Sequence, residues 1–262
     1  MVNAVSEIDK SRLGGLRRIA LYGNPGTAEG RSKGGRRTIS LFHNDPVFAR
    51  KTGFVIRKKI IYPKRSIRLA ELIGVMLGDG GLPGRHQLTI TFNNKTDKKY
   101  SVYLKSLFKE LFSVDCYIRY RKDNNGADII VSSSNLVEFL LRQGLVPGNK
   151  VKNQVGIPDW ISRNSEYGKA CLRGLIDTDG SFYHHRYSSG AKEYNYLKLC
   201  FSNCSKPLLN AALMILRRLK LKAYLHGNNV SIYSVADVKR YFEEIGTNNP
   251  KHQNKFKQFY GG

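Results

Sequence analysis

Two aspartates lie one hundred residues apart, each in the second-last position of a short segment with a similar pattern of small and apolar residues. Asp79 lies in Leu72–Gly80 (LIGVMLGDG), and Asp179 lies in Leu172–Gly180 (LRGLIDTDG). Two carboxylates held close together repel each other, which raises the pKa of one of them unless a cation lies between them. Oxygen ligands of this kind suit divalent metals. The pair therefore predicts a shared divalent-metal site, if the chain brings the two segments together.

The segments that carry these acids have the periodicity of helices. Leu172, Leu175 and Ile176 recur at i, i+3 and i+4, which predicts one buried apolar face. Gly174 and Thr178 lie four residues apart on another face, so that a second backbone can approach closely. We expect the closing glycine, Gly180, to serve as a left-handed helix cap. A single copy would fit an apolar helix with a polar C-cap equally well, but two matched copies favour two helices packed about a pseudo-twofold axis.

A repeated order of elements surrounds the two segments: helix, two strands, helix, two strands, helix. In the first repeat we predict a helix capped by Ser66, a hairpin over 82–93, a helix over 97–112, strands over 116–121 and 128–132, and a helix over 136–145. In the second repeat the motif helix precedes strands over 182–187 and 193–202, a helix over 207–219, strands over 223–226 and 230–234, and a helix over 236–245. The predicted domains are 1–65, 66–152, a linker over 153–166, and 167–262.

The composition indicates a polyanionic partner. The 262 residues include 44 Lys and Arg against 20 Asp and Glu, a net charge of +24. Such an excess of positive charge favours nucleic acid over a membrane or an acidic protein. The apolar runs are too short to span a membrane. The four cysteines lack zinc-ribbon spacing, so we expect reduced thiols in an intracellular protein that is not secreted.

Residues 1–65 form a basic extension that mixes glycine with arginine and lysine. Residues 1–68 hold 16 Lys and Arg against four acids, a net charge of +12. Glycine allows close backbone approach and the cations neutralise phosphates, which predicts a partly ordered DNA-binding extension. A disordered arm is the alternative. The candidate DNA-binding cations are Arg17, Arg18, Arg31, Lys33, Arg36 and Arg37.

The doubled motif resembles the signature of LAGLIDADG homing endonucleases of the single-chain, two-motif type. Leu172–Gly180 is close to the signature itself, whereas Leu72–Gly80 has Leu77 where the family often has its first acid. The resemblance covers residues 66–262. It implies an α+β fold made of a pseudo-twofold pair of αββαββα repeats, whose saddle-shaped antiparallel sheets lie in the DNA major groove.

The resemblance also implies the site residues. Asp79 and Asp179 would share two or three divalent ions, usually Mg2+ with Mn2+ or Ca2+ as substitutes, helped by the carbonyls of Gly78 and Thr178. The polar residues near each metal would be Asn94 and Asn203. The basic residues near the scissile phosphates would be Lys150 and Lys251, which lie 71 and 72 residues after the motif acids. Taken alone, each lysine would be an ordinary surface charge.

Strand alternation suggests which face reads bases. Polar, aromatic and basic residues on such a face can contact base edges and phosphates. The alternative is that this face of the sheet is simply exposed to solvent. The adjacent histidines His184 and His185 fit a strand surface better than a zinc site. The candidate DNA contacts are Arg85, Gln87, Thr89, Thr91, Lys95, Arg119, Arg121, Tyr183, His185, Tyr187, Tyr194, Tyr196 and Lys198; for Lys95 the matching place in the second repeat is Cys204.

The sequence therefore favours a site-specific DNA endonuclease, encoded in a mobile intron, in a cytoplasmic or organellar setting. It would act as a monomer on about 20 bp of duplex and leave 3′ overhangs. Two alternatives stay open: a maturase that binds intron RNA, and a DNA-binding protein of the same fold that does not cleave. We do not expect a splicing intein, because the terminal residues lack the required His-Asn.

Overall fold

The computed structural model describes residues 7–54 and 57–260. The expectations for residues 1–6, 55–56 and 261–262 lie outside this range. Backbone contacts divide the chain into two units, Met1–Arg57 and Lys58–Gly262. No helix in the described ranges combines the length and hydropathy needed to cross a bilayer.

The first unit is helical. Its elements are α1 (Glu7–Tyr22), α2 (Ala28–Asn44) and α3 (Pro46–Lys51). Thr27 caps α2 by accepting a hydrogen bond from the Gly30 amide at 3.0 Å. A side chain at Gly30 would overlap the carbonyl of Asn24, so the turn before α2 requires glycine there. Asp45 caps α3 by accepting hydrogen bonds from the Val47 and Phe48 amides, so α2 and α3 both begin at a capping side chain.

The second unit contains the two repeats. The first comprises α4 (Ile67–Leu77), β1 (Gly80–Gly81), β2 (Gln87–Asn93), α5 (Lys98–Phe112), β3 (Tyr117–Tyr120), β4 (Gly126–Ser132) and α6 (Ser134–Arg142). A short helix, α7 (Asp159–Ser162), lies in the segment between the repeats. The second comprises α8 (Ser165–Asp179), β5 (Gly180–Ser189), β6 (Lys192–Ser202), α9 (Lys206–Arg218), β7 (Ala223–His226), β8 (Asn229–Ile232), α10 (Val235–Glu244) and α11 (Pro250–Tyr260).

Each repeat forms a four-stranded antiparallel sheet of the same topology, with strand orders β1-β2-β4-β3 and β5-β6-β8-β7. In β2 the alternate residues Leu88, Ile90 and Phe92 are buried, whereas those between them are half-buried. One face of each sheet therefore packs on the helices and the other is open. The predicted α+β fold with paired repeats is confirmed.

The two motif helices, α4 and α8, pack directly against each other. A Cβ at Gly74 would overlap the carbonyl of Cys171, and a Cβ at Gly174 would overlap the carbonyl of Glu71. The backbones meet where neither helix has a side chain. The prediction of a close approach through small residues is confirmed.

A buried ion pair crosses the same interface. Glu71 of α4 is fully buried, and its Oε2 lies 2.8 Å from Nη2 of Arg173 on α8. Its other oxygen accepts hydrogen bonds from the Tyr103 hydroxyl at 2.5 Å and from Nδ2 of Asn248 at 2.6 Å. The charge is therefore paired and hydrogen-bonded, as a buried carboxylate requires.

Three local expectations were wrong. Gly180 has φ −88° and ψ 157°, so it begins β5 in an extended conformation and is not a left-handed cap. The first hairpin has only a two-residue first strand, Gly80–Gly81, and Arg85 lies in the loop before β2. The helix α11, whose sequence is largely polar, follows the element that we expected to close the repeat.

Candidate metal centre and nucleic-acid interface

The two motif acids lie side by side where α4 and α8 end. Asp79 lies two residues after the end of α4, and Asp179 is the last residue of α8. A Cβ at Gly78 would overlap Oγ1 of Thr178 and lie 3.6 Å from the carboxyl carbon of Asp179. The close packing of the helices therefore brings the acids of the two repeats to one place.

Burial and mutual repulsion shift the pKa values of both acids. Burial, followed by the charge of Asp179, raises the pKa of Asp79 to about 7, against the opposing effects of Lys150 and Lys251. Burial also raises the pKa of Asp179, while Lys150 and a hydrogen bond from Asn203 lower it. Carboxylates in this state gain from a cation placed between them.

Lys150 supplies positive charge at this place. Its Nζ donates to the carbonyl of Leu77 at 3.0 Å and to the carbonyl of Gly78. Burial lowers the pKa of Lys150, and the nearby carboxylates of Asp179 and Asp79 act in the opposite direction. An ammonium group thus lies where the oxygen atoms of both motifs converge.

The asparagines predicted beside the acids occupy matching positions in the two repeats. The backbone amide of Asn94 donates to the Asn125 carbonyl at 2.7 Å, and that of Asn203 donates to the Asn228 carbonyl at 3.0 Å. Nδ2 of Asn203 also donates to Oδ2 of Asp179 at 2.9 Å. Oδ1 of Asn94 is buried without a hydrogen-bond partner among the described residues.

These donors fit a hard divalent cation. The two neighbouring carboxylates and the Gly78 carbonyl all supply oxygen ligands. Within the described ranges, no group of three or more His, Cys, Asp or Glu residues could hold a metal. Binding would therefore rest on the two aspartates, supplemented by carbonyl oxygens and water.

Lys251 is held differently from Lys150. Its Nζ lies 2.8 Å from Oδ1 of Asp97, which also accepts a hydrogen bond from Nδ2 of Asn249 at 3.0 Å. The sequence analysis did not identify Asp97 or Asn249. The only available signal was their proximity to predicted site residues, three positions after Asn94 and two before Lys251.

The second sheet gathers aromatic and basic residues on its open face. Cross-strand register pairs Tyr183 with Lys198, His185 with Tyr196, and Tyr187 with Tyr194. The Tyr187 and Tyr194 rings stack with centroids 5.0 Å apart. These six residues, which the alternation of side chains along the strands predicted to lie on one face of the sheet, do lie on the same face.

The first sheet presents a more polar surface. Gln87, Thr89 and Thr91 share the face opposite the core. Arg119 and Arg121 both pair with Asp128, at 3.0 and 2.8 Å, so part of their charge is balanced within the sheet. The remaining candidates, Arg85 and Lys95, are exposed in loops.

The candidate cations of the first unit lie on two helices. All six are exposed, with Arg17 and Arg18 on α1 and the other four on α2. Arg37 stacks over the Tyr22 ring at 3.9 Å, and Lys33 pairs with Glu29 at 3.3 Å. Arg18, Tyr22 and Arg37 line one cleft between α1 and α2.

Comparison with known proteins bears on the second unit. Residues 166–246 match the family model described as a LAGLIDADG-like domain. The LAGLIDADG homing endonuclease I-LtrWI, bound to its target DNA, is similar with a TM-score of 0.52 and 13% identity, over 73% of this chain and 88% of that chain. A lysine-to-alanine mutant of I-SmaMI gives a TM-score of 0.50 and 12% identity, over 73% of this chain and 88% of that chain.

This chain has the LAGLIDADG fold.

The N-terminal LAGLIDADG domain of WhiA is also similar, with a TM-score of 0.48 and 17% identity, over 71% of this chain and 84% of that one. No curated protein sequence matched the chain. The family-model match over residues 166–246 and the similarity to I-LtrWI confirm the resemblance drawn from the doubled motif as a fold. In this LAGLIDADG fold the divergent motif keeps its glycines and Asp79, although Leu77 replaces the usual first acid. Leu77 is buried in the hydrophobic core, where an apolar side chain is readily accommodated.

Proposed function

We propose that the protein is a metal-dependent, site-specific DNA endonuclease of the homing class, encoded within a mobile intron and active as a monomer. The observation that carries this proposal is the convergence of Asp79 and Asp179 at the adjoining ends of α4 and α8. A fold used only to bind DNA has no need to bring two acids together at one place, because like charges that lie close to each other repel.

The residues divide into metal ligands and supporting groups. Asp79 and Asp179, with the carbonyls of Gly78 and Thr178, would hold divalent ions, most simply Mg2+. Such ions, when bound, activate water and stabilise the leaving oxygen of a phosphodiester. Asn203 orients the Asp179 carboxylate through its 2.9 Å hydrogen bond. Lys150 and Lys251 place positive charge where a scissile phosphate would lie.

Duplex DNA is the substrate that best fits the open sheet faces. They present Gln, Thr, Tyr, His, Lys and Arg side chains, which can contact base edges and phosphates. The net charge of +24 supplies sequence-independent attraction to phosphates. I-LtrWI, which has the same fold, is bound to target DNA in its crystal structure. We infer a duplex site of about 20 bp, cut to leave 3′ overhangs.

The test is cleavage of a randomised duplex library by the purified protein with Mg2+, followed by sequencing of the cut ends. Asp79→Asn and Asp179→Asn should each lower the cleavage rate by about two orders of magnitude or more, while DNA affinity is kept. The control is Asp115→Asn, which removes an exposed acid paired with Lys109 at 2.9 Å in the same repeat.

Three outcomes would contradict the proposal. Wild-type protein that binds a specific duplex without cutting it would indicate a non-cleaving DNA-binding protein. Tight binding to structured intron RNA with no cut in DNA would indicate a maturase. Cleavage that survives both aspartate substitutions would place the chemistry elsewhere.

A further inference from the structure

We propose that Asp97 and Asn249 are positioning residues for Lys251, and that they make the two halves of the catalytic centre inequivalent. This inference rests on the proposed endonuclease function. It concerns residues outside both LAGLIDADG motifs, one on each repeat.

Asp97 is anchored from three sides. Oδ1 of Asp97 accepts from Nζ of Lys251 at 2.8 Å and from Nδ2 of Asn249 at 3.0 Å, while Oδ2 accepts from the Thr96 hydroxyl at 2.7 Å. The side chain of Asp97 is only 13% exposed. A carboxylate fixed in this way holds the lysine ammonium in one place, because a charge-assisted hydrogen bond is strong and directional.

Asn249 ties that arrangement to the motif helix. Its Nδ2 also donates to the backbone carbonyl of Asp177 in α8 at 3.0 Å, and its Oδ1 accepts from the Lys251 amide at 3.0 Å. Asn249 is 1% exposed. One buried amide thus connects the start of α5 in the first repeat, the end of α8 in the second, and the first turn of α11.

Within residues 7–54 and 57–260, no carboxylate lies within ion-pair distance of Nζ of Lys150. Its Nζ contacts backbone carbonyls at the end of α4. The position that matches Asp97, three residues after the repeat asparagine, is Lys206 in the second repeat. Nζ of Lys206 donates to the Gly227 carbonyl and to Oδ1 of Asn228, both at 2.9 Å. A negative charge in one repeat is therefore replaced by a positive charge in the other.

The anchored lysine is connected to the helix that carries Asp179. Asn249, which accepts from the Lys251 amide, donates to the backbone carbonyl of Asp177, two residues before Asp179. Loss of Asp97 should therefore release the Lys251 ammonium from its fixed position. Lys150 should keep its contacts with the backbone carbonyls at the end of α4. The expected consequence is slower cleavage of one strand only.

The experiment compares Asp97→Asn with wild type in a strand-resolved cleavage assay on a duplex with each strand labelled. We expect about a tenfold loss for one strand, accumulation of nicked product, and unchanged DNA affinity. Asp115→Asn, which breaks an exposed Asp–Lys pair of similar length, should change neither strand. Equal slowing of both strands, or no slowing, would overturn the inference.

A double-mutant cycle separates positioning from general damage. If Asp97 acts through Lys251, then Asp97→Asn in a Lys251→Gln background should cost little more than Lys251→Gln alone. Additive losses would contradict the inference. The conservative variant Asp97→Glu should restore part of the strand balance.

A second readout does not depend on cleavage. In metal-free protein labelled with nitrogen-15 at lysine, the Lys251 ammonium should be held and protected from exchange, and Asp97→Asn should remove that protection. Retained protection in Asp97→Asn would overturn the positioning role even if the wild-type protein did not cleave. Absence of any cleavage by wild type would instead count against the proposed function.

Discussion

At the scale of single residues, the surroundings of the carboxyl groups between the two repeats determine their protonation. Burial and repulsion raise the pKa of Asp79 to about 7. Burial also raises the pKa of Asp177 to about 7, against hydrogen bonds from the Thr247 hydroxyl and the Asn248 amide. Both acids hold protons in the folded chain that the unfolded chain releases near pH 4.

The first prediction concerns stability without metal. Because Asp79 and Asp177 bind protons in the folded state between about pH 4 and 7, together they should lower the free energy of unfolding as pH rises through that window. Their effect should exceed the opposite one of His252, whose pKa burial lowers to about 3. The upper bound is about 1.4 kcal/mol per pH unit for the buried Asp177. The contribution of the exposed Asp79 should be smaller, because solvent screens its charge. Urea titrations in EDTA at pH 5 and pH 8 measure the difference. Asp79→Asn should be more stable than wild type at pH 8; equal stability there would refute the prediction.

The second prediction follows from competition between protons and metal. Mg2+ should raise the melting temperature more at pH 8 than at pH 5, because protons occupy Asp79 at the lower pH. Thermal unfolding with and without Mg2+ at both pH values measures this effect. The Mg2+ response should be lost in Asp79→Asn and kept in Asp115→Asn.

Comparison of the two repeats can point to residues that recur in both and misses those that do not. Asn94 and Asn203, whose roles the family resemblance implies, occupy matching places with matching backbone hydrogen bonds. Asp97 has Lys206 as its counterpart, so the comparison of repeats gave no signal for it. Spacing likewise treated Lys150 and Lys251 as equivalent, although their partners differ.

At the scale of elements, the motif helices determine the position of the acids. Gly74 and Gly174 allow the backbones of α4 and α8 to touch, and any side chain there would collide with main-chain atoms of the partner helix. Collision with backbone is costly, because a main chain within a packed helix cannot move aside.

The third prediction compares two glycines of the same helix. Gly174→Ala should destabilise the protein by about 1–3 kcal/mol or more, since its Cβ would overlap the partner backbone. Gly168→Ala should be neutral or stabilising by up to about 1 kcal/mol, because its nearest neighbour is the Ile215 side chain at 3.7 Å. Chemical denaturation measures both. Similar destabilisation by the two changes would argue against close helix packing as the cause.

The periodicity of apolar residues predicted the order of the helices and strands, but it did not predict the residues at which they begin and end. Most predicted helices and strands in residues 66–245 are present, because apolar spacing reports which face is buried. The glycines after the motif acids were misassigned, since glycine is compatible with both a left-handed cap and an extended strand. The helix α11 was missed because its buried contacts come mainly from His252 and a few aromatic residues in an otherwise polar segment.

At the scale of the whole molecule, the two sheets are unequal. The outer hairpin of the second repeat, β5–β6, pairs over ten positions, whereas β1 pairs with β2 over two. Repetition of sequence motifs predicted the shared topology but not this difference in length. Under the proposed function, the two DNA half-sites would be contacted to different extents.

The fourth prediction concerns charge in the first unit. Replacing Arg18 and Arg37 by Gln should weaken DNA binding and lower the slope of log affinity against log salt by about 0.9 for each phosphate that the protein no longer neutralises. Affinities measured by fluorescence anisotropy at several salt concentrations test this. Lys105→Gln with Lys239→Gln, exposed changes on α5 and α10 that remove the same charge, should leave the slope unchanged. The same decrease in both variants would indicate a general charge effect.

The buried pair between Glu71 and Arg173 makes the two halves distinguishable partners. Gly74 matches Gly174, so the position matching Glu71 is Cys171 and the position matching Arg173 is Ile73. Two first halves brought together would place two glutamates at the interface without Arg173, and two second halves would place two arginines there without Glu71. Expressed as separate polypeptides, the halves should therefore select the mixed pair over either homodimer. The same pair of charges, placed on two separate helices, could be used to design dimers that form only between unlike partners.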